Sequence, residues 1–251
     1  MRILFTICGR AGSKGIKNKN IRLFNGKMLP YYSISAIDLF LKKTEKEIEY
    51  DIVLNTDSKE LMDIMKNNGM RPIELIEREP ALGGDTVGKI AVILDCLNQM
   101  EERKHTKYDA VVDLDITSPL RTVADVENLI NTHFKKGADV TTSVTTARRN
   151  PYFNQLKKSE HGYKKVIESN FTARQQACEV FDMNASLYAY KPDFLRTGKG
   201  VLDGYVECIE MYDTGILDLD HENDFELMEI IAKYLYENKD EFGEINNNIA
   251  H

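Results

Sequence analysis

The sequence predicts an α/β fold in which a mostly parallel sheet is flanked by helices. Short apolar runs at residues 3–8, 51–56 and 110–116 have the length and composition of buried strands. Between them lie longer segments whose apolar residues recur at helical spacing. Apolar strands that alternate with helices are typical of parallel sheets covered on both faces. We therefore expect a Rossmann-like architecture.

The first part of the chain alternates regularly between strand and helix patterns. Asp85 or Thr86 is suited to cap the third helix. The strand at 110–116 ends sharply at Pro119. In chain order we predict a strand at 3–8, a helix at 31–42, a strand at 51–56, a helix at 58–68, a short run at 72–76, a helix from about 86 to 100, a strand at 110–116, a helix from about 123 to 135 and a strand at 139–144.

The alternation stops at residues 145–181, which are polar, resemble a β-ribbon and show no clear helix. Such a segment cannot bury a core of its own, so it packs on its parent domain or on a second subunit. We treat it as an insertion in a single domain spanning residues 1–251. Beyond it we predict strands at 184–190, 205–211 and 217–220, a closing helix at 222–235 and a frayed tail at 241–251.

Composition narrows the function. The chain has 251 residues, of which 42% are hydrophobic and 29% charged, with a net charge of −7. Nucleic-acid partners favour an extended basic face, so we expect none. No apolar stretch approaches the ~20 residues of a membrane span, and the amino terminus has no signal-peptide layout. The four cysteines form no CxxC pair, so we expect a reduced, cytoplasmic protein without a zinc site.

The most informative segment follows the first strand. It carries glycines, Ser13 and the cations Arg10, Lys14 and Lys19. A strand that opens into such a turn places backbone N–H groups and positive charge at the carboxyl edge of a sheet, where phosphates bind. The spacing matches neither the Walker lysine loop nor GxGxxG. We predict a phosphate-binding loop; a surface turn with solvated lysines is the alternative.

Acidic residues supply the second half of the predicted site. Asp218 and Asp220 lie two apart on a short predicted strand, so their side chains share one face and could bind Mg²⁺. A solvent-facing strand edge, with one of them capping the next helix, is the alternative. Asp57, at the end of the second main strand, is expected to cap the helix that follows it. Asp113 and Asp115 share one face of the 110–116 strand.

Four segments together resemble the acylneuraminate cytidylyltransferases, which load nine-carbon 2-keto acid sugars onto CMP. They are GRAGSKGIKNKNI at 9–21, Arg78 with Gly84-Asp85-Thr86, TSPLR at 117–121 and LDLDHEND at 217–224. The resemblance covers about residues 2 to 230. ARRNPYFN, NFTARQ and DMNASLY, which begin at Ala147, Asn170 and Asp182, look most like the legionaminate-activating branch.

The resemblance implies a fold of the nucleotide-diphospho-sugar transferase type and a homodimer joined through 145–181. It implies attack of a sugar 2-hydroxyl on the α-phosphate of CTP with release of pyrophosphate, assisted by Mg²⁺. The candidate catalytic residues are Arg10, Lys19 and Asp220, with Asp115 added from its own chemistry because the sialate members of the family have glutamine there. The implied nucleotide-binding residues are Arg10, Gly12, Ser13, Lys14, Lys19, Asn20, Arg78 and Asp85. Asp115, Thr117, Arg174 and Asn184 would bind the sugar, and Asp218 and Asp220 the metal.

Two positions depart from the sialate members of that family. Asp115 stands where they have glutamine, and Asp182 stands where they have arginine. Asp115 could act as a general base, recognise an amine or amide substituent, or lie beside the metal. It could also be a strand-end carboxylate that hydrogen-bonds to nearby backbone. A carboxylate close to an anionic sugar argues for a substrate other than plain sialate.

Other functions remain open at this point. A 3-deoxy-octulosonate cytidylyltransferase is the nearest alternative enzyme, although TSPLR and the context of Arg174 argue against it. A nucleotide-binding regulator without catalysis is an alternative from a different class. It is disfavoured because Arg10, Lys19, Asp218 and Asp220 are all present.

Overall fold

The computed structural model describes residues 1–12, 15–84, 88–214, 219 and 221–249. These residues form the strands β1 (Arg2–Cys8), β2 (Leu23–Phe24), β3 (Lys27–Met28), β4 (Glu49–Thr56), β5 (Glu74–Glu77), β6 (Ala110–Leu114), β7 (Val140–Thr146), β8 (Leu156–Ser159), β9 (Gly162–Lys165), β10 (Phe181–Tyr190) and β11 (Val206–Glu210). The helices are α1 (Tyr31–Lys43), α2 (Lys59–Lys66), α3 (Lys89–Lys104), α4 (Val123–Lys136), α5 (Pro192–Arg196), α6 (Glu222–Asn238) and α7 (Asp240–Asn248).

The main sheet has seven strands in the order β11-β7-β10-β6-β1-β4-β5. Strand β10 runs antiparallel to both of its neighbours, β6 and β7, whereas every other neighbouring pair is parallel. The prediction of a mostly parallel α/β sheet is therefore confirmed. The carboxyl ends of β1, β4, β6 and β7 lie at one edge, where ligands bind in sheets of this kind.

Helices cover both faces of the sheet. Phe5 of β1 packs on the face covered by α1, α2, α4, α6 and α7, and Leu4 packs on the opposite face with α3 and α5. Both side chains are fully buried because alternate residues of a central strand point to opposite faces. This two-sided burial explains why the predicted strands are apolar throughout. It also holds the loops at the carboxyl edge in fixed places.

The carboxyl-terminal segment is a helix, so the expectation of a frayed tail from residue 241 is wrong. Phe242 and Ile245 of α7 are buried against the core. The backbone is fastened as well, because the Lys27 ammonium donates to the carbonyl oxygen of Asn246 and the Ser35 hydroxyl to that of Ile245, at 2.6 Å. These partners lie more than two hundred residues away, so local sequence could not show them.

Residues 145–181 contain the β8–β9 hairpin and a 3₁₀ turn at Arg174–Gln176, with no α-helix. The hairpin lies outside the main sheet. Large apolar side chains are exposed on and beside it, namely Leu156, Tyr163, Ile167, Phe181 and Met183.

Within the described residues, none of the helices combines the length and apolarity needed to cross a lipid bilayer.

His133 is buried in the last turns of α4, where its Nδ1 lies 3.1 Å from the hydroxyl of Thr141. Burial, together with the nearby Lys191 ammonium, lowers the pKa of this imidazole to about 4. The unfolded chain would bind a proton at a pKa near 6.5. The unfolding free energy therefore falls as the pH drops from about 6.5 to 4, and the full contribution of His133 is present above this window.

His133→Gln should flatten that pH dependence, because the unfolded state no longer takes up this proton. Urea unfolding between pH 4 and 7.5 measures the change, which is at most about 3 kcal/mol for a shift of this size. His161→Gln, at an exposed histidine, is the matched control. Equal slopes in the two variants would show that His133 does not carry the effect.

Candidate active site

The loop after β1 begins with a glycine that has no room for a side chain. A Cβ on Gly9 would lie 2.7 Å from Leu61 Cδ2 and 2.9 Å from Ile116 Cδ1. Leu61 belongs to α2, and Ile116 follows β6. The chain can therefore leave β1 between these two elements only because the residue there is glycine.

Two polar side chains hold the loop that was predicted to bind phosphate. The Ala11 N–H donates to Asp57 Oδ1 at 2.6 Å, and the buried Asn20 amide donates to the carbonyl oxygen of Arg10 at 3.1 Å. The expectation that Asp57 caps α2 is wrong, because the Ser58 hydroxyl accepts from the helix instead. Ser58, one residue closer to the helix, caps α2. The Asp57 carboxylate therefore accepts from the loop after β1 instead.

Lys19 joins this loop to the distant acidic segment. Its ammonium donates to the carbonyl oxygen of Leu219 at 2.5 Å, across 200 residues of sequence. Leu219 is fully buried in the core, so its carbonyl has a fixed position. Nearby, Arg22 pairs with Glu222 at 2.5 Å. The beginning of the chain and the start of α6 therefore lie together.

Several predicted site residues lie outside the described part of the chain. These are Ser13, Lys14, Asp85, Asp218 and Asp220. Leu219, which separates the last two in sequence, is described. In the part of the chain that the structure covers, no cluster of three or more His, Cys, Asp or Glu side chains could hold a metal ion.

Arg78 lies just beyond β5 and turns toward the end of β4. Its Nε donates to Asn55 Oδ1 at 2.7 Å and its Nη2 to the Asn55 carbonyl oxygen at 3.1 Å. The side chain is buried. Part of the guanidinium therefore fastens β5 to β4, and its predicted contact with nucleotide stays a prediction.

The turn after β6 is closed by hydrogen bonds to Asp115. Its Oδ1 accepts from both the N–H and the hydroxyl of Thr117, each at 2.8 Å. The buried guanidinium of Arg121 donates to the carbonyl oxygens of Asp115 and Ser118. We call residues 115–121 the 115–121 turn. Asp115 and Thr117, both predicted to bind sugar, are thus in direct contact.

A lysine that sequence reasoning missed faces the two aspartates. Lys89 Nζ, at the start of α3, lies 2.6 Å from Asp113 Oδ2 and 2.7 Å from Asp115 Oδ2. Asp113 is fully buried, and its other oxygen accepts from the Thr6 hydroxyl at 2.8 Å. Two carboxylates on one face of a buried strand require a cation nearby, and that requirement was the available signal.

Lys89 also sets the charge of Asp115. Burial alone would raise the pKa of this carboxyl, but the Lys89 ammonium and the hydrogen bonds from Thr117 lower it to about 2. A group this acidic is a weak base near neutral pH. The geometry therefore favours a strand-end carboxylate that shapes the 115–121 turn over a general base.

The other two predicted sugar-binding residues reach β7 at different points. Asn184 Oδ1 accepts from the Ser143 hydroxyl at 2.5 Å, beside a break in the pairing of β10 with β7. Ala185, next to it, has a φ of 51°. A non-glycine residue in this left-handed region is uncommon and often marks a functional position.

Arg174 borders an open cavity at the end of β7. Its Nη2 donates to the Ala147 carbonyl oxygen at 3.2 Å, and Arg148 pairs with Asp213 at 2.8 Å beside it. The cavity has a volume of about 400 Å³ and is lined by Thr146, Ala147, Arg148, Arg149, Arg174 and Asp213. Three arginines around one cavity suit an anionic group.

Comparison with known proteins identifies the class. A family model described as cytidylyltransferase matches residues 4–196, and the chain belongs to this family. The match spans β1, the 115–121 turn and the three arginines that line the cavity.

Three proteins illustrate the similarity. Post-translational flagellin modification protein B of Campylobacter coli is 36% identical over 92% of this chain and 95% of its own length. CMP-N,N'-diacetyllegionaminic acid synthase of Campylobacter jejuni is 34% identical over 91% of this chain and 94% of its own length. The solved structure of CMP:2-keto-3-deoxy-manno-octonic acid synthetase complexed with CTP has a TM-score of 0.64 at 12% identity and covers 93% of this chain and 99% of its own. That last likeness shows a shared fold.

Gly9→Ala should destabilise the protein by about 1–3 kcal/mol, because the new methyl group forces Leu61 and Ile116 apart. Thermal unfolding measures the effect. Gly88→Ala is the matched control, since among the described residues beyond its chain neighbours nothing lies within 4 Å of its added Cβ. A Gly9→Ala protein as stable as the control would show that the loop can leave β1 by another path.

Proposed function

We propose that this cytidylyltransferase transfers CMP from CTP to the 2-hydroxyl of a nonulosonate sugar of the legionaminate type and releases pyrophosphate. One observation carries the proposal. The hydrogen bond from Lys19 to the Leu219 carbonyl joins the cationic loop to the segment that contains Asp218 and Asp220. A cationic loop beside paired carboxylates is suited to a nucleoside triphosphate with its metal ion.

The reaction needs positive charge in fixed positions. CTP and the sugar carboxylate repel each other, and negative charge develops on the departing pyrophosphate. Arg10 and Lys19, with the backbone N–H groups near Gly12, would oppose both effects. Asn20 holds the carbonyl of Arg10 in place, which would keep the Arg10 backbone positioned when CTP binds. The same loop would therefore bind nucleotide and stabilise the transition state.

The donor chemistry of the acidic segment fits Mg²⁺. Asp218 and Asp220 flank the buried Leu219, and Mg²⁺ binds one or two carboxylates together with substrate phosphates. When bound, the ion would neutralise charge on the triphosphate. Lys19 holds the backbone between the two aspartates, so it would keep both carboxylates near the phosphates.

The choice of sugar rests on the relatives and on the site. A relative with 34% identity over most of both chains is named as a CMP-N,N'-diacetyllegionaminic acid synthase. Asp115, which stands where sialate enzymes have glutamine, argues for a sugar other than sialate. Arg174 and Arg148 would attract the sugar carboxylate. A 3-deoxy-octulosonate substrate has weaker support, because the similarity to that synthetase is one of fold at 12% identity.

We propose that the protein acts as a homodimer and that residues 145–181 form the contact. The exposed apolar side chains of this segment support the proposal, since exposed apolar surface of this kind often marks a protein interface. Arg174 lies in the same segment. A second subunit would therefore bring its own sugar-binding residues close to the interface.

The direct test is a panel of purified nonulosonates incubated with CTP and Mg²⁺, read by pyrophosphate release. We expect turnover with N,N'-diacetyllegionaminate at least about tenfold faster, as kcat/KM, than with N-acetylneuraminate, because a few well-placed contacts to a substituent give that discrimination. Faster turnover of N-acetylneuraminate or of the octulosonate would reassign the substrate. Tight CTP binding by calorimetry without turnover of any sugar would favour a non-catalytic regulator.

Asp220→Ala should lower kcat by at least about a hundredfold, because the metal loses a charged ligand and transition-state charge is no longer neutralised. The circular dichroism spectrum should be unchanged. Glu226→Ala, at an exposed acid on α6, is the control and should keep the wild-type rate. A wild-type rate in Asp220→Ala would show that the metal site is elsewhere.

A further inference from the structure

The ammonium of Lys89 lies between two carboxylates at the edge of the proposed site. It is within 2.7 Å of one oxygen of Asp113 and one of Asp115. Asp113 is fully buried, and among the described residues the Lys89 ammonium is the cation that compensates its charge.

Lys89 also connects two parts of the site that are distant in sequence. It is the first residue of α3 and follows closely the segment 85–87, which contains the predicted nucleotide ligand Asp85. Its carboxylate partner Asp115 begins the 115–121 turn. That turn carries Thr117, whose N–H and hydroxyl both donate to Asp115.

We propose that Lys89 is a positioning residue for the transfer reaction, which holds Asp115 ionised and directed at Thr117 so that the 115–121 turn presents its sugar-binding groups correctly. The proposal rests on the proposed function, because it assigns Lys89 a role in that same site. It differs from a purely structural account, in which Lys89 only neutralises the buried Asp113.

Groups from several elements of the described chain face Lys89 and Asp115. β6 contributes Asp113, β1 contributes Cys8, and β10 contributes two tyrosines whose rings stack 5.9 Å apart. Arg121, from the turn itself, approaches through its bond to the Asp115 carbonyl. Among the described residues, several charged or titratable groups interact electrostatically with Lys89 or Asp115, or with a residue that does so. They are Cys8, Cys96, Asp113, Arg121, Asp125, Tyr188 and Tyr190.

Removing the cation changes the balance between the two carboxylates. Without Lys89, Asp113 and Asp115 are like charges at close range, and one of them takes up a proton at a higher pH than before. Arg121 cannot replace the lysine, because its hydrogen bonds go to backbone and hydroxyl oxygens. A protonated Asp115 is a weaker acceptor for Thr117, so the turn loosens as the pH falls.

The chain offers a closely matched control on the same helix. Lys104, at the other end of α3, pairs with Glu74 at 2.5 Å and lies 3.7 Å from Asp51. Its side chain is 33% exposed, compared with 32% for Lys89. Lys104→Met therefore removes the same kind of ion pair far from the candidate site.

The experiment compares Lys89→Met, Lys104→Met and wild type in the pH dependence of kcat/KM for the sugar. We expect the acidic limb of the Lys89→Met profile to lie at a higher pH than that of wild type, with kcat/KM below the limb reduced about tenfold for each pH unit of displacement. Lys104→Met should follow the wild-type profile. A Lys89→Met profile parallel to wild type at every pH overturns the proposal.

A second readout does not depend on activity. The carboxyl carbon of Asp115, assigned by comparison with Asp115→Asn, is titrated by ¹³C NMR in wild type and Lys89→Met. The proposal requires a higher pKa in the variant, and an unchanged titration overturns it. If the wild-type enzyme turned over no sugar, the proposed function would fail, and this titration would still decide the role of Lys89.

The double variant Lys89→Met/Asp113→Asn separates positioning from charge compensation and protects the test against poor folding. It removes the buried carboxylate together with its cation, so the unfolding free energy should return toward wild type. If Lys89 positions Asp115, the pKa of Asp115 stays above its wild-type value and the acidic limb of kcat/KM stays at a higher pH than in wild type. If both return to wild type, Lys89 only neutralises Asp113 and the proposal is wrong.

Discussion

The hydrogen bond from the Lys19 ammonium to the Leu219 carbonyl is the constraint on which the site depends. Leu219 is fully buried, so the core fixes the acceptor, and the buried Asn20 fixes the loop that supplies the donor. The loop after β1 and the segment before α6 are held together before any substrate arrives. Preorganised charge of this kind is what phosphoryl and nucleotidyl transfer require.

Much of the fold could be predicted because its strands are apolar on both faces. The pattern at 51–56 predicted the strand that the structure shows at Glu49–Thr56, and 110–116 contains the strand Ala110–Leu114. The predicted strand ran two residues too far, because Asp115 turns away to accept from Thr117. The prediction of a frayed tail was wrong for a different reason. Its helix is held by Lys27 and by core contacts from far along the chain, and a local pattern carries no record of such partners.

For the candidate site, motifs indicated the loop and the turn, whereas the connections within them needed the structure. The sequence pointed to Asp113 and Asp115 on one strand face, yet gave no sign of which cation would meet them. In the sequence, Lys89 looked like an ordinary polar residue in the first turn of the helix predicted from about 86 to 100. The same holds for Asp57, which was expected to cap α2 and instead accepts a hydrogen bond from the Ala11 N–H. Side-chain partners from other elements are set by packing, and one sequence does not reveal that packing.

The most direct test of the central claim is a crystal structure of the protein with CTP and Mn²⁺, in which anomalous scattering locates the ion. We expect the triphosphate to contact Arg10 and Lys19, and the ion to lie between the triphosphate and the carboxylates of Asp218 and Asp220. A triphosphate bound away from the loop after β1, or an ion bound far from those carboxylates, would contradict the account.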